Sequence, residues 1–301
     1  MRIGIDSPDT SHVRLFTQAF EDSDRIRVSA ILSENSIRDR DVIQEFAEKH
    51  LLTLHDDRWH FADSVEAVLL LRADWSAHID RAHYYLVNSK RIYIDKPVAG
   101  SFADIVRLRE LLEQHPRQIF GGSALPHHHG FSEFLERFRF SVQQESAEVE
   151  IFGAMDSYFM ASHSYELASA MLGNVRDAVV DWRDDVTIHS AIGQHEVTIA
   201  LRQSPANAND PWSIRARIGG QLLLCSFPLS GIYDGLLHAL HEHLLNGVFW
   251  DPGISTELAL AAERSGHSGQ PVSILDLDLR DVIGSEAFVA DYRARNGSRP
   301  L

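Results

Sequence analysis

The sequence predicts two folding units. Residues 1–122 read as an α/β unit on a doubly wound parallel sheet, and residues 123–301 as an α+β unit on a mainly antiparallel sheet. Three observations predict this. Up to Gly122, short apolar runs alternate with amphipathic helical patterns, a rhythm that calls for right-handed crossovers and parallel strands. Beyond Gly122, strand-like runs follow one another directly, and two of them are separated by Gly219-Gly220, a hairpin signature. Finally, Ile94-Asp95-Lys96-Pro97 ends a strand at the carboxyl edge, where open parallel sheets bind their ligands.

In chain order, residues 2–5 form the first strand and 13–20 a helix. Residues 25–32 carry inward Ile26, Val28, Ala30 and Leu32 and read as the second strand. A helix over 43–50 and a short strand over 51–54 follow, then a strand over 65–71, a helix over 78–87 and a strand over 91–94. Ser101 is suited to cap a strong amphipathic helix over 102–114, and residues 118–122 close the unit. In the second unit, helices are expected over 131–138, 163–172, 233–245 and 257–264. Strands are expected over 147–154, 178–182, 195–201, 212–218, 221–227 and 272–275. Gly173 stops the second of those helices. The polar tail, 291–301, is expected to be loosely held.

Composition narrows the function. With 301 residues, 44% hydrophobic and 24% charged, the chain is long enough for two cores and reads as globular. A net charge of −15 argues against nucleic acid or an anionic membrane as partner, since either would meet a like-charged face. The first residues enter a strand at once, so no leader is expected, no apolar run is long enough to span a bilayer, and a cytoplasmic setting is expected. The lone cysteine, Cys225, lies in an apolar strand and is expected to be a buried small hydrophobe.

Lys96 is one of only three lysines, with Lys49 and Lys90. Pro97 holds it toward extended backbone, and a lysine, unlike an arginine, has a proton it can lose. These features, taken in order, resemble the glucose–fructose oxidoreductase / inositol dehydrogenase / MocA family nearly end to end. Ile94-Asp95-Lys96-Pro97 is similar to that family's Glu-Lys-Pro signature, with Asp in place of Glu. The helix at His163-Ser164-Tyr165-Glu166, ending in Gly173, resembles its histidine–acid helix. Ala261-Ala262-Glu263-Arg264-Ser265, with Gly269-Gln270-Pro271-Val272, resembles its C-terminal signature.

The resemblance implies a Rossmann-like, NAD- or NADP-dependent oxidoreductase acting on a sugar-like, polyol or small carbonyl substrate. Lys96 and His163 would serve the reacting carbon, and Glu166 would orient the imidazole or bond a substrate hydroxyl. Glu166 follows His163 by three residues and shares its helical face. The cofactor candidates are Ser7, Asp9, Thr10, Ser11 and His12 in the first loop, Ser33 and Glu34 after strand two, Ala73 and Asp74 after strand four, and Asp95, Lys96 and Pro97. Glu34 is placed to bond a ribose diol, which favours NAD over NADP.

This first loop departs from the family. It reads Gly4-Ile5-Asp6-Ser7-Pro8-Asp9-Thr10-Ser11-His12, with one glycine and two carboxylates where a pyrophosphate wants close backbone. Phe159 stands where the family carries an aspartate four residues before the histidine. Two alternatives therefore stay open: altered or lost cofactor use with lyase or isomerase chemistry by proton transfer, and a non-catalytic binding protein. His127-His128-His129 and the set His238, His241, His243 lack metal-ligand spacing, so no metal is expected. His127 to His129 are placed to line a substrate pocket. A homodimer or homotetramer through the second unit's sheet is expected.

Overall fold

The computed structural model describes residues 1–21, 23–173, 175–205 and 210–301. The first unit runs β1 (Arg2–Asp6), α1 (His12–Ala19), β2 (Arg27–Leu32), α2 (Arg40–Lys49), β3 (Thr53–His55), α3 (Arg58–Ser64), β4 (Ala67–Leu70), α4 (His78–Val87), β5 (Arg91–Ile94), α5 (Phe102–Gln114) and β6 (Ile119–Gly121). Its six strands are all parallel in the order β3-β2-β1-β4-β5-β6, so the chain reverses direction beside β1 and opens a crevice above β1 and β4. Every residue of β4 is buried because helices cover both faces of the sheet. One face packs Ile3, Ile5, Phe16 and Tyr93, and the other packs Phe61, Val68, Leu70 and Leu108.

The second unit runs α6 (His129–Val142), β7 (Ala147–Gly153), α7 (Tyr158–Leu172), β8 (Val179–Trp182), β9 (Val186–Ile192), β10 (His195–Gln203), β11 (Trp212–Ile218), β12 (Gln221–Phe227), α8 (Asp234–Asn246), α9 (Ser255–Ser268), β13 (Val272–Ser273) and α10 (Glu286–Asn296). Its seven-stranded sheet has the order β12-β11-β7-β10-β9-β8-β13, and only β7 and β10 pair in parallel. Strand alternation is clean: in β12, Leu223, Cys225 and Phe227 point inward, while Leu222 and Leu224 are exposed. Cys225 is buried, as its apolar neighbours required. The chain then crosses back, and Leu236, Leu240 and Leu244 of α8 enter the core of the first sheet.

Three elements depart from the expectation. Helix α3 was hidden by its seven-residue length, although Asp57 caps it by accepting from the amides of Trp59 and His60. Strand β9 follows the charged run Arg183-Asp184-Asp185, yet its Val186 and Ile188 alternate inward. The tail is not loose: its α10 places Phe288 and Tyr292 four residues apart on one face, where Phe288 stacks on Phe159 at 4.8 Å and Tyr292 packs tilted against it at 5.8 Å.

Candidate active site

Lys96 emerges from the carboxyl end of β5, only 3% exposed, across a cis Lys96–Pro97 peptide. Its Nζ donates to the Phe159 carbonyl at 3.0 Å and sits 3.3 Å from the centre of the Phe159 ring. Burial drives the ammonium down to about 8, against the opposing pull of Asp95 and Glu166. Asp95 is fully buried. Burial alone would lift its carboxyl, but the His12 ring and the Lys96 charge and backbone N–H outweigh this and leave it below its ordinary value.

Ser157 caps α7 by accepting from the Met160 amide, so the helix starts earlier than its apolar pattern suggests and aims Phe159, His163 and Glu166 toward β5. Ser123, just past β6, holds both candidate side chains of that helix. Its backbone N–H donates to Glu166 Oε2 at 2.7 Å, and its hydroxyl meets His163 Nδ1 at 2.6 Å. Burial lifts the Glu166 carboxyl to about 7. Burial, with the charges of Lys96 and His12, pushes His163 well below its ordinary value, so the ring is neutral. The structure thus brings Lys96, His163 and Glu166 together. Glu166 bonds Ser123 rather than the imidazole, and Ser123 is the residue sequence reasoning missed. Its only signal was its position directly after the Gly121-Gly122 strand end.

Beside Glu166 lies a cavity of about 320 Å³, lined among others by Val98, His127, Arg139, Ser169 and Trp250. Of the histidine run, His127 faces it, His128 packs on Phe227 at 5.3 Å, and His129 is exposed beside Glu133. His243 is buried, stacked on Phe120 at 5.5 Å, and burial holds its ring near 4.

The first loop is built around carboxylates. Asp6 is buried between the guanidinium groups of Arg72 and Arg81, each 3.7 Å away, and accepts from the Tyr85 hydroxyl at 2.8 Å. Ser7, at φ 57°, accepts from Arg72 at 2.6 Å. Asp9 is buried and accepts from Ser36 Oγ at 2.6 Å and from the amides of Ile37 and Ala73, both at 3.0 Å. Burial raises its carboxyl despite these three donors. Ser11 opens α1 without a side-chain cap bond, and Thr10 accepts from the His12 amide at 3.3 Å.

Several remaining cofactor candidates are also tied to protein groups. His12 Nδ1 lies 2.8 Å from Asp95 and its Nε2 3.0 Å from the Tyr233 hydroxyl. Ser33 donates to Asp56 at 2.7 Å. Glu34 accepts from Arg58 at 2.8 Å and pairs with Arg81 at 3.3 Å. Asp74 accepts from Ser76 and from Ser285, each at 2.6 Å, and Pro97 O meets His78 Nδ1 at 2.9 Å. The single glycine, Gly4, serves packing, because a Cβ there would lie 2.5 Å from the Phe61 ring.

As folded, these residues do not fit a dinucleotide. Asp9 takes the Ser36 hydroxyl and the Ile37 and Ala73 amides, donors of the loops after β2 and β4, and the tail is bonded to Arg38 after β2 and to Trp75 after β4.

No family model and no curated protein matches the sequence. Solved structures do match the fold. A probable dehydrogenase from Thermotoga maritima is 13% identical, with a TM-score of 0.72, covering 92% of this chain and 100% of its own. A myo-inositol dehydrogenase from Corynebacterium glutamicum is 13% identical, with a TM-score of 0.72 over 91% of this chain and 98% of its own. The Lactobacillus casei myo-inositol dehydrogenase, solved with NAD(H) and myo-inositol, is 12% identical, with a TM-score of 0.73 over 91% of this chain and 96% of its own. The chain therefore has the fold of the glucose–fructose oxidoreductase / inositol dehydrogenase / MocA proteins, in a divergent form.

Proposed function

We propose that the chain is an oxidoreductase that interconverts a hydroxyl and a carbonyl on a small polyhydroxylated molecule, using a nicotinamide cofactor like the one in the myo-inositol dehydrogenase structure solved with NAD(H). The observation that carries the reading is the buried Lys96 amine, set at the mouth of β5 against the His163 and Glu166 face of α7. Oxidising a carbinol requires loss of its hydroxyl proton, and a group titrating near neutrality does this best. With Lys96 near 8 and Glu166 near 7, the pair holds one exchangeable proton around physiological pH. With Nδ1 held by the Ser123 hydroxyl, the neutral His163 offers its Nε2 alone to a bound hydroxyl, as donor or acceptor according to its tautomer. The cavity beside Glu166, with Trp250 and His127 for stacking and Arg139 for hydrogen bonds, suits a sugar-like ring.

Titration with NAD, NADH, NADP and NADPH, followed by a polyol screen on whichever binds, tests the reading. Binding of one form and polyol-dependent reduction are expected. Absence of binding by all four would remove the redox step. A second reading, proton transfer without redox as in a lyase or isomerase, is favoured by one observation, the buried first-loop Asp9 carboxylate, which takes up donors of Ser36, Ile37 and Ala73. It predicts turnover of a β-hydroxy carbonyl compound with no nicotinamide present.

A further inference from the structure

We propose that residues 284–301 form a detachable strap that occupies the dinucleotide path and must leave before a cofactor enters. This rests on the oxidoreductase reading. The strap runs the length of that path. At the β4 end, Ser285 Oγ donates to Asp74, and Phe288 packs on Trp75 at 5.3 Å. In the middle, Phe288 stacks on Phe159, the ring that covers Lys96, and Tyr292 packs tilted against it. At the β2 end, Arg38 donates through Nη1 to the carbonyls of Asn296 at 2.5 Å and Arg299 at 3.3 Å, and the Asp39 amide donates to Gly297 O at 2.9 Å. A nicotinamide-to-adenosine ligand would run between the same two ends, from the β4 loop to the β2 loop.

The strap is built to detach. No residue of α10 is buried, so its release breaks chiefly the ring contacts of Phe288 and Tyr292. The residues just before it are fixed instead. Ile283 N donates to Gly100 O at 2.7 Å, and Phe102 N donates to Asp281 O at 3.1 Å, which leaves Gly284 as the first free position and a natural pivot. The bonds lost are ones an anionic ligand replaces. Arg38 is 8% exposed, and its Nη1 is satisfied by strap carbonyls alone, so release leaves a guanidinium donor that a phosphate oxygen would take. A ligand shifts such an equilibrium only by differential contacts, and Arg38 supplies one. Departure of Phe288 and Tyr292 also uncovers Phe159, so cofactor entry and access to the Lys96 amine become one event.

Hydrogen–deuterium exchange of the full chain, with NADH and NADPH as probes, tests this. On binding, peptides from 284–299 should exchange faster while the first loop slows. Binding with the strap equally protected overturns the proposal. The double variant Phe288→Ser/Tyr292→Ser should bind the same probe at least tenfold more tightly with the β-sheet melting point retained. Equal affinity in both proteins overturns the strap and leaves the redox reading standing. No binding by a variant whose strap peptides exchange freely overturns both.

Discussion

At the scale of single residues, the candidate chemistry is a proton balance. If Lys96 must be neutral to accept a hydroxyl proton, kcat/KM should rise with pH and level off above about 8. Lys96→Met should lose about 10²- to 10⁴-fold in turnover, measured with the substrate found by screening. The same substitution has a stability signature. A lysine whose folded pKa is depressed binds fewer protons folded than unfolded once pH passes about 8, so wild-type stability recovers as pH rises through that window. Relative to wild type, Lys96→Met should therefore gain on the order of 3 kcal/mol at pH 7, less its lost contacts with Phe159, and the gain should shrink toward pH 10 in urea melts. Asp9→Ala strands the amides of Ile37 and Ala73 in the interior and should cost about 3 kcal/mol in the same assay. Lys96 was legible in the sequence because its strand and proline announced it. Asp9 was read as a phosphate neighbour, and its true partners, 27 to 64 residues away, leave no local trace.

At the scale of elements, legibility followed length and caps. The pattern at 78–87, the one at 91–94 and the Ser101-capped helix are found with the bounds expected, because periodicity and capping agree there. Helix α10 was missed because its apolar residues are few and face a protein surface rather than a core. The turn after β6 shows what a short element can constrain. Gly122 sits at φ 99°, and a Cβ there would lie 2.5 Å from Glu166 Oε2. Gly122→Ala should cost about 2 kcal/mol through backbone strain. It should also turn Glu166 away from Ser123, so an inflection near 7 should move while the plateau reached above about 8 stays in place.

At the scale of the whole molecule, two sheets of opposite style meet at one seam, and the site lies on that seam. The parallel order and the antiparallel sheet were legible from rhythm alone, whereas the return of α8 to the first core was not, since a helix pattern does not say which sheet it covers. Leu222 and Leu224 are exposed on the outer face of β12, and we propose that face as a surface for self-association. Sedimentation is expected to give a dimer or larger, and Leu224→Glu to lower the mass toward 33.9 kDa.

Ser123 gives the seam a mechanical property. One residue on the joint between the sheets grips an acid through its amide and an imidazole through its hydroxyl. Any rocking of the second sheet against the first re-aims both groups together, never one alone. Divergence toward a new substrate would then have to rewrite the long helix itself, while the small residue at the hinge stays fixed.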